Sequence, residues 1–201
     1  MSSLNIEHKR LFIHLPKCAG TSMEHFAWNR GSGHKTISDY SREINLDEYF
    51  KWCFVRNPWD RILSAYEDCH ELHETITSFE MFINTIYIHK NSFNVPEIRF
   101  SSLPSLGLPV GRIHFFPLAK QIKHKGEVKI DFIGKYENME EDWKNVLNIM
   151  NIPYEPLPHL NSRKKKKNKK NSYYKDVYTP ELITKVEELY KEDIDLFNYS
   201  Y

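Results

Sequence analysis

The sequence predicts an α/β fold: a three-layer sandwich whose central, mostly parallel sheet of about four or five strands is flanked by helices. Three observations carry that expectation. Short apolar runs of buried-strand type stand at residues 11–13 (LFI) and 53–55 (CFV). Each is followed by a tight polar turn and then by apolar residues at helical spacing, the succession that builds parallel sheets. The 201 residues are 40% hydrophobic and 14% aromatic, which is enough for one domain, 1–201, with a real core.

The first strand belongs to LFIHLPKCAGTSM, residues 11–23. Leu11, Phe12 and Ile13 form it and Pro16 bounds it. The step Gly20-Thr21-Ser22 follows, and residues 23–29 open a helix. Strand, tight turn and helix present unpaired backbone N–H groups and the positive end of a helix dipole to an anion. Lys17 adds a charge, Gly20 permits close backbone approach, and Thr21 and Ser22 supply hydroxyl donors. The stretch is P-loop-like in kind. It is not a Walker A loop, in which Lys follows the second Gly and directly precedes Ser or Thr; here Lys17 precedes the only Gly of the turn. Taken alone, the heptad would also suit an ordinary strand-to-helix turn.

The second strand opens CFVRNPWDRILSAYED, residues 53–68. Pro58 suits the first turn of a new helix, and Ile62, Leu63 and Tyr66 recur at helical spacing. Arg56 therefore stands at the strand's end and Ser64 about two turns along the helix. Both can face the crevice at the carboxyl ends of parallel strands, where open α/β sheets take ligands. A guanidinium fork is a preferred partner for phosphate. Two anion sites on adjacent strands point to a nucleotide with phosphates at both ends.

FIHLPKCAGTS followed by FVRNPWDRILSAY resembles the PAPS-dependent sulfotransferase family, in its carbohydrate and bacterial branch; PAPS is 3′-phosphoadenosine 5′-phosphosulfate. The first motif resembles the family's 5′-phosphosulfate loop and the second its 3′-phosphate site. FIGKYENMEEDW (residues 132–143) and TPELITKVEELYKEDIDLFNY (179–199) fit as supporting motifs. The resemblance implies PAPS as sulfuryl donor, no metal, and a carbohydrate or small-metabolite acceptor. It also implies roles. Lys17 neutralises charge on the bridging oxygen as PAP leaves. The N–H groups of Cys18, Ala19, Gly20, Thr21 and Ser22 hold the 5′-phosphate, and Arg56 with Ser64 binds the 3′-phosphate. His34, between the two motifs, matches the place of a general base, which an attacking hydroxyl needs. Glu67, Asp68, His70 and His114 compete for that role.

The remaining elements follow in order. Residues 31–34 form a Gly-Ser-Gly-His loop, with Ile44, Leu46 and Tyr49 as anchors beyond it. Residues 75–92 read as an amphipathic helix with Phe79, Phe82, Ile83 and Ile86 on one face. Residues 91–111, rich in Pro and Gly, are a long loop, and loops of that length are commonly functional. His114 lies in RIHFFPL, which reads as a strand. Residues 128–136 read as another strand, and 140–150 as an acid-started helix with Trp143, Val146, Leu147 and Met150 at core spacing. A last helix over 179–197 opens with a Thr179 N-cap and Pro180 at its first position.

Charge is unevenly spread. The chain is +1 overall, but RKKKKNKK (163–170) holds seven basic residues, so the rest carries 21 basic against 27 acidic. That run within the flexible loop 161–172 is a solvated loop, a polyanion contact, or a flap over the donor's 3′-phosphate. By resemblance the flap uses Arg163 and Lys164. The three cysteines, Cys18, Cys53 and Cys69, have neither disulfide nor zinc spacing. Cys18 is a small residue fitting a tight turn or a thiol activated by the helix end. With no apolar run of about 18 residues and no signal-peptide core, the chain reads as cytoplasmic. Golgi members of the resembling family carry an anchor, so a trimmed piece of a longer protein is the other possibility. Two further functions stay open: a polyanion- or nucleic-acid-binding protein using the lysine run, and a degenerate P-loop kinase needing ATP and Mg²⁺.

Overall fold

The computed structural model describes residues 4–26, 33–72, 76–93, 95, 112–158 and 173–201. The strands among them are β1 (Leu4–Asn5), β2 (Arg10–Phe12), β3 (Phe50–Val55), β4 (Lys123–His124), β5 (Glu127–Val128) and β6 (Phe132–Lys135). The main sheet has the order β1-β2-β3-β6. Its β1 edge is antiparallel, whereas β2, β3 and β6 run parallel, with Phe12 opposite Trp52 and Trp52 opposite Phe132. The sheet is thus mostly parallel and four-stranded, as expected; β4 and β5 form a separate hairpin.

Helices cover both faces: α1 (Gly20–Phe26), α2 (Ile37–Tyr40), α3 (Pro58–Leu72), α4 (Phe79–Ile88), α5 (Leu118–Gln121), α6 (Met139–Ile149), α7 (Pro180–Leu189) and α8 (Lys191–Phe197). The alternation of strand side chains decides which helix meets which face. Phe12, Trp52 and Phe54 point to one side and pack with Met23 of α1 and with Trp143, Val146 and Leu147 of α6. Leu11, Ile13, Cys53 and Val55 point to the other and meet Ile37, Tyr40, Leu118, Ile122 and Phe197. A further cluster joins α3, α4 and α7 through Trp59, Ile62, Phe82, Ile83 and Val186.

Several expected boundaries move. The first helix begins at Gly20, not Met23, because the Ala19 carbonyl already accepts from Ser22 and Met23 N–H. The helix expected over 75–92 is shorter. Ser78 caps it, its hydroxyl accepting from Met81 N–H at 3.0 Å, and a 3-10 turn over Lys90–Phe93 follows its end. The expected strand 128–136 is split: Asp131 leaves the hairpin to pair with the Lys51 backbone, its N–H reaching Lys51 O at 2.8 Å.

His114 lies on a 3-10 turn (Arg112–Phe115) rather than on a strand. The buried Arg61 guanidinium draws the carbonyls of His114 and Phe116 toward itself at 3.1 and 3.0 Å, so they are not offered to a neighbouring strand. The last helix is two. Tyr190, at φ −117° and ψ 24°, ends α7 and precedes α8, while its hydroxyl donates to Phe115 O. The loops 96–111 and 161–172, the latter with Arg163 and Lys164, lie outside the described residues.

Candidate active site

The turn from Pro16 to Ala19 connects β2 to α1, and two of its residues are left-handed without being glycine: Lys17 at φ 66° and Ala19 at φ 62°. Such conformations cost about 1–2 kcal/mol each and persist only where surroundings over-determine them. Here the Lys17 carbonyl accepts from Arg56 Nη1 at 3.0 Å, and the Ala19 carbonyl starts α1. The N–H groups of Cys18, Ala19, Gly20 and Thr21 lie in the turn and at the opening of α1, ahead of Ser22, whose N–H is given to the Ala19 carbonyl. Successive N–H groups in such a turn form an anion-binding concavity.

Gly20 is required for a second reason. A Cβ there would lie 1.9 Å from His14 Cδ2. The His14 ring fills that space because its Nδ1 is held 2.8 Å from Glu24 Oε1, one turn into α1. Ser22 is buried in the same turn and Thr21 is exposed. Burial pushes the Cys18 thiol up to about 12, with Arg61 and Arg56 pulling the other way, so it is the small residue of a tight turn and not a reactive thiolate.

Arg56 stands at the end of β3, as expected. Its Nε and Nη2 contact Asp60 Oδ2 at 2.7 Å, and its guanidinium lies 4.2 Å over the Tyr136 ring. Burial opposes its charge, and Asp60 with Tyr136 outweighs that opposition. Along α3, Asp60, Ser64 and Asp68 recur every four residues and so share one face. Ser64 is buried between the Arg56–Asp60 pair and the ion pair of Lys17 with Asp68. Asp68 is therefore not a solvated helix charge. Glu67 is partly buried, and the side chain of His70 lies outside the described residues.

His34 approaches the turn from the other side. Its Nδ1 lies 3.1 Å from the His14 carbonyl oxygen. A carbonyl only accepts, so Nδ1 carries the hydrogen and the neutral ring offers the lone pair of Nε2. The ring sits 4.5 Å from that of His14 and 4.9 Å from that of His114, edge to face. Burial, with His14 and His114 next, pushes His34 down to about 3, so it is neutral near pH 7.

The structure thus gathers Lys17 through Ser22 with Arg56, Ser64 and His34. Sequence reasoning missed His14, Glu24, Asp60 and Tyr136. The spacing of Arg56 to Asp60, four residues apart on entering a helix, is the signal that could have found one of them. Among the described residues, no helix is long and apolar enough to cross a membrane.

Polar groups converging on a strand-end turn, with an arginine from the next parallel strand, describe an α/β protein whose candidate site lies at the carboxyl ends of its strands. The chain belongs to the sulfotransferase family, whose profile matches residues 4–200. It is 27% identical over 185 residues to carbohydrate sulfotransferase 11 of Rattus norvegicus, covering 83% of this chain and 52% of that protein. Carbohydrate sulfotransferase 8 of Mus musculus is 24% identical over 213 residues, covering 96% and 51%. An uncharacterized protein of Archaeoglobus fulgidus is 29% identical over 111 residues, covering 55% and 74%. The chain spans about half the length of the two mammalian relatives. No solved structure matches it significantly.

Proposed function

We propose that the chain transfers the sulfuryl group of PAPS to a hydroxyl of a carbohydrate or small-metabolite acceptor. The carrying observation is the hydrogen bond from Arg56 to the Lys17 carbonyl, which ties the two anion-receiving elements into one unit. The fit to the donor rests on the N–H groups of the turn from Cys18 to Thr21 and on the Arg56 fork at the neighbouring strand end. Bound there, PAPS supplies a sulfuryl group on a phosphate leaving group. The turn N–H groups, with the Thr21 and Ser22 hydroxyls, hold its 5′-phosphate. Arg56 and Ser64 hold its 3′-phosphate, with Arg163 and Lys164 as further cationic partners by the family resemblance. Lys17 offsets the charge that builds on the bridging oxygen, and His34 Nε2 takes the acceptor proton. In-line transfer of this kind relies on positioning and electrostatics. The carbohydrate acceptor follows from the names of the relatives.

Thermal unfolding with PAP, against ATP with Mg²⁺, tests the donor. Saturation at about 100 times Kd adds about 2.7 kcal/mol, an upward shift on the order of 5–11 °C for a domain of this size. A shift with PAP alone supports the reading; one with ATP-Mg²⁺ alone replaces it with a kinase.

A further inference from the structure

We propose that Glu24 is a positioning residue of the proton-accepting site, acting through His14 to fix the histidine cluster and to receive the positive charge formed on His34. This rests on the sulfuryl-transfer reading above.

Glu24 is a buried carboxylate, 9% exposed at its side chain, and a buried carboxylate is costly unless paired. His14 Nδ1 lies 2.8 Å from it. The hydrogen on Nδ1 goes to the carboxylate, which orients the ring with Nε2 on its far side. The ring cannot swing away: the Gly20 backbone closes one side, where an added Cβ would be 2.2 Å from Nε2, and the His34 ring closes another. His14 therefore contacts both partners. Its side chain meets Glu24 and its carbonyl takes His34 Nδ1–H at 3.1 Å.

The geometry matters during transfer. The acceptor oxygen attacks sulfur, and the bond from sulfur to the 5′-phosphate oxygen breaks with its electron pair staying on PAP. The hydroxyl proton passes to His34 Nε2, so a neutral ring becomes an imidazolium. Among the described residues, His14 just beyond β2, His114 on the 3-10 turn, and Glu24 on α1 behind His14 bear on that ring. The two histidines oppose its protonation, whereas Glu24 and the His14 carbonyl favour it. Glu24 is thus a counter-charge one ring removed from the base, in contrast to the carboxylate of a hydrolase triad, which contacts the base histidine directly.

The test compares Glu24→Gln and Glu24→Asp with the native chain. For Glu24→Gln we expect kcat to fall on the order of 10²-fold with the Kd for PAP within about twofold of native. Losing the carboxylate makes His34 harder to protonate, so the acid limb of the kcat profile should move to lower pH. Glu24→Asp should recover part of kcat and, if the Gln variant does not fold, carries the same comparison. ¹⁵N imidazole spectra of the resting chain should show His14 as the Nδ1–H tautomer in the native protein and mixed tautomers in Glu24→Gln. That readout needs no turnover: a native chain that transfers no sulfuryl group sinks the reaction, whereas a native Nε2–H tautomer sinks the role of Glu24. Unchanged kcat and pH profile in Glu24→Gln, or equal losses of kcat and PAP affinity, would overturn the proposal.

Discussion

The Arg56 guanidinium donates to the Lys17 carbonyl at 3.0 Å, across 39 residues of sequence, and so props up a left-handed residue that the turn could not hold alone. Arg56 thereby serves both the shape of one anion-receiving element and the charge of the other. Replacing it with Lys keeps charge but loses the fork. We expect the Kd for PAP to rise on the order of 10- to 100-fold, the worth of one or two charged hydrogen bonds. Calorimetric titration checks this, and a Kd within threefold of native would remove Arg56 from the 3′-phosphate site.

Lys17 should behave in the opposite way. Its ammonium pairs with Asp68, and in the proposed reaction it is needed when charge moves to the leaving oxygen. Lys17→Ala should lower kcat on the order of 10²- to 10³-fold, as loss of one oxyanion donor does, with little change in PAP affinity. Steady-state rates beside a PAP titration separate the two; a weaker PAP affinity with kcat unchanged would mean a ground-state contact only.

Gly20→Ala tests the packing behind the turn. The new Cβ meets the His14 ring at 1.9 Å, so the ring, the turn or the start of α1 must shift. Overpacking of this type costs about 1–3 kcal/mol, or roughly 2–12 °C in Tm for a chain of this length. The loss should shrink when His14→Ala is added, because the clash then has no ring to meet. Additive losses in the double variant would place the strain elsewhere.

The acid response of His34 has a fixed sign. Its folded value is about 3 against an ordinary 6.5, so the unfolded chain binds more protons between those values and stability falls as pH drops through the window. Asp193 acts oppositely: burial raises it from 3.8 to about 6, and its contribution fades as pH rises through that range. The native curve mixes both. The difference between native and His34→Gln isolates the histidine, and the variant should lose less stability between pH 6.5 and 4. Superimposable curves would show that His34 is not held neutral.

The sheet and its helices were legible because their signals are local. Cys53, Phe54 and Val55 are buried on both faces and read as an uninterrupted apolar run, and Thr179 caps a helix by a short-range hydrogen bond. The break at Tyr190 was not, since Leu182, Val186, Leu189 and Tyr190 keep one apolar stripe running through it. The turn at His114 escaped for a different reason: its shape is imposed by Arg61, a residue 53 positions away. In the site, Lys17 and Arg56 announce themselves by motif. The His14–Glu24 pair depends on a ring resting on a glycine across a turn, which no residue spacing displays.

Residues 199 and 200 have a part in the timing of assembly. Asn57, next to Arg56, donates from Nδ2 to Ser200 O at 3.0 Å, and its N–H reaches Glu137 Oε1 at 2.6 Å; Glu137 in turn accepts from the Tyr199 hydroxyl at 2.8 Å. The loop that aims the guanidinium is therefore latched by residues made 143 positions later. On a ribosome, the sheet and the strand-end turn can form well before that latch exists. In the proposed reading, a chain truncated before Tyr199 would lose the support of the Arg56 loop and bind a PAP resin weakly with most of its fold in place.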